Sequence, residues 1–264
     1  MKIFKLAGTV PALALMGLLA MPTGADAAPV TPNFQTFGDL NVPAQADVTF
    51  GGDGIPTDPS AFTNLQGNNG DTLTLGITAH QRFANPPLGN DGAGTFTAQA
   101  GANDGTPGNP GTQSTWNFAW FAELVPGAGS TSTLSDYEVT LFYDLDPGVS
   151  TDKSNLGKWD LGTTLANSEE LFGFQLPETL FQTSQNATFG FLATDDATVG
   201  VTAPSFTAFD PFAVGEYSFA LGSTLGEVAI NVNVNPIPLP AAGWLLLTAF
   251  GGLGLAARRR RKAA

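Results

Sequence analysis

The chain has 264 residues, enough for one large or two small domains, and a formal charge of −13. That charge is uneven: residues 1–28 carry net +1, residues 258–264 net +5, and residues 29–257 set 22 acids against only Arg82, Lys153 and Lys158, net −19. So base-poor a body excludes nucleic acid as its partner and argues against docking on anionic lipid, while zero Cys and one His exclude disulfides, thiolate catalysis, Cys-ligated metals and a His-pair metal site.

Residues 1–28 read as a secretory signal. Lys2 and Lys5 precede an apolar run that includes Leu13, Leu15, Leu18 and Leu19. Ala25-Asp26-Ala27 then supplies an A-x-A cleavage site, with Ala25 and Ala27 as its small residues. An uncleaved anchor is the alternative, opposed by Pro22 and Gly24, which end the run.

Residues 29–235 are expected to form the acidic body. The pattern has period two, which is that of half-buried strands. Weak alternation marks a strand at 48–50. Leu73, Leu75, Ile77 and Ala79 alternate with Thr72, Thr74, Thr78 and His80. A second weak strand is expected at 95–100, inside a Gly/Pro-rich stretch (84–114) that reads as long loops or as a linker between two domains. Trp116, Phe118, Trp120, Ala122 and Leu124 form one face of the next strand, and Tyr137, Val139, Leu141 and Tyr143 one face of another. Asn167 is placed to cap a short helix over 168–172, and Pro177 to start a turn running through Gln185. Weak strands follow at 188–192 and 198–201. Strong ones return with Tyr217, Phe219 and Leu221, then with Val228, Ile230, Val232 and Val234. Nine or more short strands with Gly-rich turns predict an all-β class, an antiparallel β-sandwich or jelly roll with long loops. Gly and Pro together are 51 of 264 residues, too few for low-complexity disorder. One domain is preferred over two, because neither half alone has a full set of strong strands.

The remaining segment, 236–264, differs in kind. Pro236, Pro238 and Pro240 alternate, which favours a stiff extended spacer. An uncharged apolar run follows over 242–257, about 24 Å as a helix and about 30 Å if counted from Pro238, the thickness of a bilayer core. Arg258, Arg259, Arg260, Arg261 and Lys262 close it, a basic stop-transfer cluster that stays cytoplasmic. An ordinary single-span anchor is one reading of these parts.

Several side chains are candidates for chemistry. His80 is the only imidazole, and with no G-x-S-x-G in the chain it is expected to be a solvated strand histidine on the polar face with Thr78 and Arg82. Paired carboxylates could run glycoside hydrolysis, but Glu169-Glu170 are adjacent and would face opposite ways in a strand. No cofactor is expected; calcium is the best chemical candidate for the acid excess, since Asp144, Asp146 and Asp152 lie in a loop rich in oxygen ligands, with a solvated acidic surface as the favoured alternative. That loop fails the EF-hand pattern, with Gly148 one position early and Asn155 where a bidentate Glu belongs. Asp47, Asp53, Asp58, Asp195 and Asp196 are further loop acids. Trp116, Phe118 and Trp120 are expected in the core. Trp159, between Lys158 and Asp160, is the better candidate for stacking on a sugar. Asn186-Ala-Thr188 matches a glycosylation sequon.

The C-terminal parts, Ile237-Pro238-Leu239-Pro240-Ala241, a weak helix and the basic cluster, resemble the PEP-CTERM class of exported proteins, in its variant with a Val-Pro-Leu-Pro-Ala motif. Ile237 stands where that variant has Val. The resemblance implies a protein of a Gram-negative bacterium, exported through the inner membrane and held there transiently by its C-terminal transmembrane helix. Its partner would be an exosortase, a membrane protease that recognises the motif and processes the tail. The destination would be the cell surface or the extracellular polysaccharide. Trp116-Asn117-Phe118-Ala119-Trp120, Asp144-Leu145-Asp146-Pro147, Phe209-Asp210-Pro211-Phe212 and residues 215–219 are also similar to the bodies of some members, which lend no activity. The expectation is a structural or adhesive surface protein and not an enzyme. A calcium- or carbohydrate-binding module is the alternative, and a glycoside hydrolase comes third.

Overall fold

The computed structural model describes residues 28–40, 59–83, 88–103, 105 and 111–237. The signal segment with Ala25 and Ala27, the strand expected at 48–50, the acids Asp47, Asp53 and Asp58, and everything from Pro238 onward lie outside the described residues. Among the described residues no helix is long and apolar enough to cross a membrane.

Twelve strands are described, in chain order: β1 (Thr36–Gly38), β2 (Ser60–Gln66), β3 (Thr72–Gln81), β4 (Gly89–Asn90), β5 (Thr95–Gln99), β6 (Trp116–Val125), β7 (Thr140–Tyr143), β8 (Gly157–Asp160), β9 (Leu180–Gln185), β10 (Val201–Thr202), β11 (Gly215–Ser223) and β12 (Gly226–Asn235). Two short helices, α1 (Leu161–Ala166) and α2 (Ser168–Phe172), sit between β8 and β9. The strands form two sheets, ordered β1-β2-β3-β6-β9 and β10-β8-β7-β11-β12-β5-β4. The protein is mostly β, as its period-two pattern requires.

The alternating apolar sets point where period two places them. Leu73, Leu75, Ile77 and Ala79 of β3 and Trp116, Phe118 and Trp120 of β6 are buried in one cluster. Tyr217, Phe219 and Leu221 of β11 and Val228, Ile230 and Val232 of β12 meet them from the other sheet. Phe118 stacks on Phe219 with ring centroids 4.5 Å apart, and Trp116 meets Phe219 edge-on at 6.1 Å. Residues on both sides of the 84–114 stretch, such as Ala79 and Trp116, belong to this cluster, and so do Leu88, Phe96 and Ala98 within it. Among the described residues the stretch thus shares the core of its neighbours, and its strand β5 pairs with β12.

That pairing departs from the antiparallel expectation. β5 runs parallel to β12, with Thr95 opposite Asn231 and Gln99 opposite Asn235, whereas the other strand pairs are antiparallel. The crossover from β5 back to β12 contains most of the domain, so no tight hairpin can set their direction.

Three other expectations change. The turn placed at 177–185 is strand β9, paired with β6. The strand placed at 188–192 is a single 3₁₀ turn over Gly190–Ala193. Helix α2 forms where expected, yet the Asn167 side chain does not cap it. Asn167 Nδ2 instead donates to the Thr198 carbonyl at 2.9 Å.

Residues 28–34 cross the outer side of the seven-stranded sheet. Lys153 N donates to the Ala28 carbonyl at 3.4 Å, and Asn33 exchanges backbone bonds with Ala229. Val30 packs there with Leu156, Ala220, Ala229 and the half-buried Phe142.

A close approach fixes one corner. Gly157 of β8 lies opposite Tyr143 of β7, and a Cβ on Gly157 would fall 2.2 Å from the Tyr143 ring. That ring is fully buried, and its hydroxyl donates to the Leu192 carbonyl at 2.7 Å. Gly157→Ala must displace it, so a loss of about 2 kcal/mol is expected from overpacking. Urea unfolding of the variant, read as a lower midpoint at unchanged slope, checks this.

Candidate functional site

The four sequence stretches that mark the body converge on one end of the two sheets. Trp116 at the start of β6 contacts Tyr217 at 5.6 Å and Phe209 at 6.2 Å, and Phe209 contacts Tyr217 at 5.3 Å between ring centroids. Behind them the 144–152 loop leaves β7. Glu216 N donates to the Pro147 carbonyl, and a Cβ on Gly215 would fall 2.0 Å from that same oxygen. Only a glycine lets β11 start so close to the loop.

Asp144 is 1% exposed and Tyr217 is fully buried. Asp144 Oδ1 accepts from Asp146 N at 2.9 Å, whereas its Oδ2 has no hydrogen-bond partner; the Tyr217 hydroxyl and Trp116 Nε1 have none either. Burial pushes the Asp144 carboxyl up to about 6. The Tyr217 hydroxyl is also raised, by burial first and then by the charges of Asp144, Asp210 and Asp146. Asp210 was no part of the expected calcium set.

Asp152 does not join them. Its Oδ1 accepts from Ser154 N at 3.1 Å, and its backbone bridges Pro29. Among the described residues, no three acids or histidines gather closely enough to hold a metal ion. Many loop acids instead bond nearby backbone N–H groups. Asp146 accepts from Gly148, Asp160 from Gly162, Asp196 from Thr198 and Val199, Asp195 from Ala203, and Asp210 from Phe212. Carboxylates hold such turns because their oxygens mimic a backbone acceptor.

Other candidates are relocated. Trp159 is buried, with Nε1 donating to Thr164 Oγ1 at 2.7 Å, so it offers no face to a sugar. Glu169 and Glu170 lie in the first turn of α2, both exposed. Asn186 is fully buried and donates to the Ser114 and Trp116 carbonyls, which rules it out as a glycan acceptor in the folded chain.

His80 is the largest departure. It is not solvated but 1% exposed, on the outer face of the five-stranded sheet. The register sets it opposite Asn117 of β6, and Ala119 opposite Ser184 of β9. His80 Nδ1 lies 2.9 Å from the Gln81 carbonyl oxygen and Nε2 lies 2.8 Å from Ser184 Oγ. A carbonyl can only accept, so Nδ1 carries the proton and Nε2 accepts from the serine hydroxyl. Burial, and after it the charge of Arg82, holds the imidazole below its ordinary pKa and keeps it neutral.

Asn117 Nδ2 donates to Ser184 Oγ at 3.0 Å, and its Oδ1 accepts from Asn186 at 2.7 Å and Arg82 at 3.4 Å. Gln182, two residues before Ser184 on the same face, is 1% exposed with both amide atoms unpartnered. Ser184 itself is half-buried. The sequence hides this pair because 104 residues separate its members. No protein-family profile, curated protein or solved structure matches this chain.

Proposed function

We propose that this chain is an exported protein of the cell surface or extracellular matrix, structural or adhesive in role, with an acidic β-sandwich body sorted by an exosortase-like membrane protease. The supporting observation is how the described body ends. The last strand ends at Asn235, and Ile237, the first residue of the sorting motif, is 58% exposed two positions later. An Ile237 so close to a core strand, yet largely exposed, suits recognition by an enzyme without unfolding of the body. The other end agrees: Ala28, the residue after the A-x-A site, is already bonded to Lys153. In this reading Ile237, Pro238, Leu239, Pro240 and Ala241 are recognised, the following helix holds the chain in the membrane, and Arg258, Arg259, Arg260, Arg261 and Lys262 halt translocation.

The body suits a surface role. Among the described residues there is one ion pair, Lys153 with Glu227, so the other carboxylates there have no basic partner. A body of −19 repels its copies and stays dispersed at low ionic strength. Intact-mass measurement of the surface or medium fraction tests the proposal. The expected species has lost its signal segment and the C-terminal helix with its basic tail; a full-length tail on every molecule overturns it.

A second reading, a calcium-binding module, is favoured by one observation: the buried Asp144 carboxylate has an oxygen with no hydrogen-bond partner, which a cation could compensate.

A further inference from the structure

We propose that Ser184 and His80 form an acyl-transfer centre on the outer face of the five-stranded sheet, with Ser184 Oγ as a nucleophile toward small acyl esters. This inference does not rest on the export reading.

The arrangement supplies the parts such a step needs, in order. Ser184 Oγ and His80 Nε2 are 2.8 Å apart, the separation for direct proton transfer between a nucleophile and its base. The Gln81 carbonyl holds Nδ1–H at 2.9 Å, which fixes the reactive tautomer and stabilises the imidazolium that forms, the part a carboxylate plays in a serine triad. Burial keeps His80 neutral at neutral pH, so the base is in its accepting form.

Gln182 provides a second, independent sign of a ligand. Buried amides are almost always satisfied, yet both amide atoms of Gln182 are unpartnered at 1% exposure. Side chains two apart on a strand share a face, so this free N–H donor lies beside Ser184. A side-chain amide so placed can bond the oxygen of an attacked carbonyl as negative charge develops there. Asn117 is held on its other side by Asn186 and Arg82, so its amide stays on Ser184 Oγ.

The step balances with water as co-reactant. Ser184 Oγ attacks the ester carbonyl carbon while its proton passes to His80 Nε2. The tetrahedral intermediate collapses, the C–O bond to the alcohol breaks, and His80 returns the proton to the leaving alkoxide. Water then attacks the acyl-serine, giving its proton to His80, and Ser184 leaves with that proton as the carboxylic acid departs. Substrate size follows from burial. Only Ser184 is half-open, while His80 and Gln182 are closed off, so the substrates proposed are confined to the smallest acyl groups, such as acetyl.

The test uses the full-length chain, made in an exporting host and extracted in detergent, with a small fluorophosphonate and with p-nitrophenyl acetate. The expected result is phosphonylation mapped to Ser184 by peptide mass spectrometry. It should be at least about tenfold faster than for the urea-unfolded chain and slowed about 100-fold in His80→Gln, the usual contribution of a general base. Ser184→Ala abolishes the label and the acetate hydrolysis while the chain still melts cooperatively, which shows that it remains folded. The labelling rate rises with pH through a midpoint below that of free imidazole, a profile a purely structural histidine would not impose. Labelling of the native chain no faster than of the unfolded chain, or labelling retained in Ser184→Ala, overturns the proposal.

Discussion

Trp120→Ala is expected to lower stability by about 4 kcal/mol, the middle of the range for emptying a buried aromatic site. Trp120 is fully buried and holds three elements together. Its ring lies 4.7 Å from Phe181 of β9 and meets Trp159 of β8 edge-on at 5.5 Å, so one side chain of β6 joins its own sheet to the facing one. Rings fixed by their strands cannot collapse into the space, so the cavity term adds to the lost transfer energy. Since small domains hold only about 5–15 kcal/mol in total, the variant loses a large fraction. Trp120→Phe separates packing from polarity. Trp120 Nε1 has no hydrogen-bond partner, and phenylalanine removes that buried donor while keeping most of the ring contact. Its cost is expected near 1 kcal/mol. Urea denaturation of both variants checks the pair. A loss below about 2 kcal/mol for Trp120→Ala would contradict the packing described.

The same residues show what was legible in the sequence. Trp116, Phe118 and Trp120 announce β6 because each apolar position is large and each is two from the next. β3, β11 and β12 are equally plain, and the burial of both layers follows from their alternation. β9 is not plain. Leu180-Phe181-Gln182-Thr183-Ser184-Gln185 has one strongly apolar inward residue, and Pro177 ahead of it imitates the start of a helix. It becomes a strand because β6 presents an unpaired edge, which is a tertiary cause. β8 is four residues long and escapes for lack of length.

Burial on the outer face was the harder matter. Alternation correctly put His80 opposite the core side of β3, but polar alternation implies solvent only if nothing lies over the sheet. Leu40 lies over Gly76, packing with Ala119 and Phe121, Thr78 bonds the Pro59 carbonyl, and Thr78 and His80 are both buried on this face away from the main core. The partnership of His80 with Ser184 therefore depends on a strand and a burial that local sequence does not encode. Trp159 fails for the mirror reason. Its charged neighbours Lys158 and Asp160 point outward because β8 is a strand, and that same alternation turns the ring inward.

Asp144→Asn is expected to stabilise the protein by about 3 kcal/mol above pH 6.5 in chelator, and by almost nothing below pH 4. The Asp144 carboxyl is raised by burial from an ordinary 3.8 to about 6. Between those values the folded chain holds a proton that the unfolded chain has released, so stability falls as pH rises, at about 1.4 kcal/mol per unit. Above the folded value both states are ionised and the full penalty of about 3 kcal/mol stands; below the unfolded value both are protonated and it vanishes. Asparagine keeps the Oδ1 acceptor that Asp146 N uses and takes the charge off the unpartnered side. Melting curves of both chains across pH 4–8 test this, and a destabilising effect at pH 8 in chelator would refute it. The variant also decides the calcium reading. If a cation compensates the buried oxygen, millimolar calcium but not magnesium raises the wild-type melting temperature and leaves the variant unchanged. If calcium shifts neither chain, the carboxylate is uncompensated strain, and the acids around Tyr217 bind no ion.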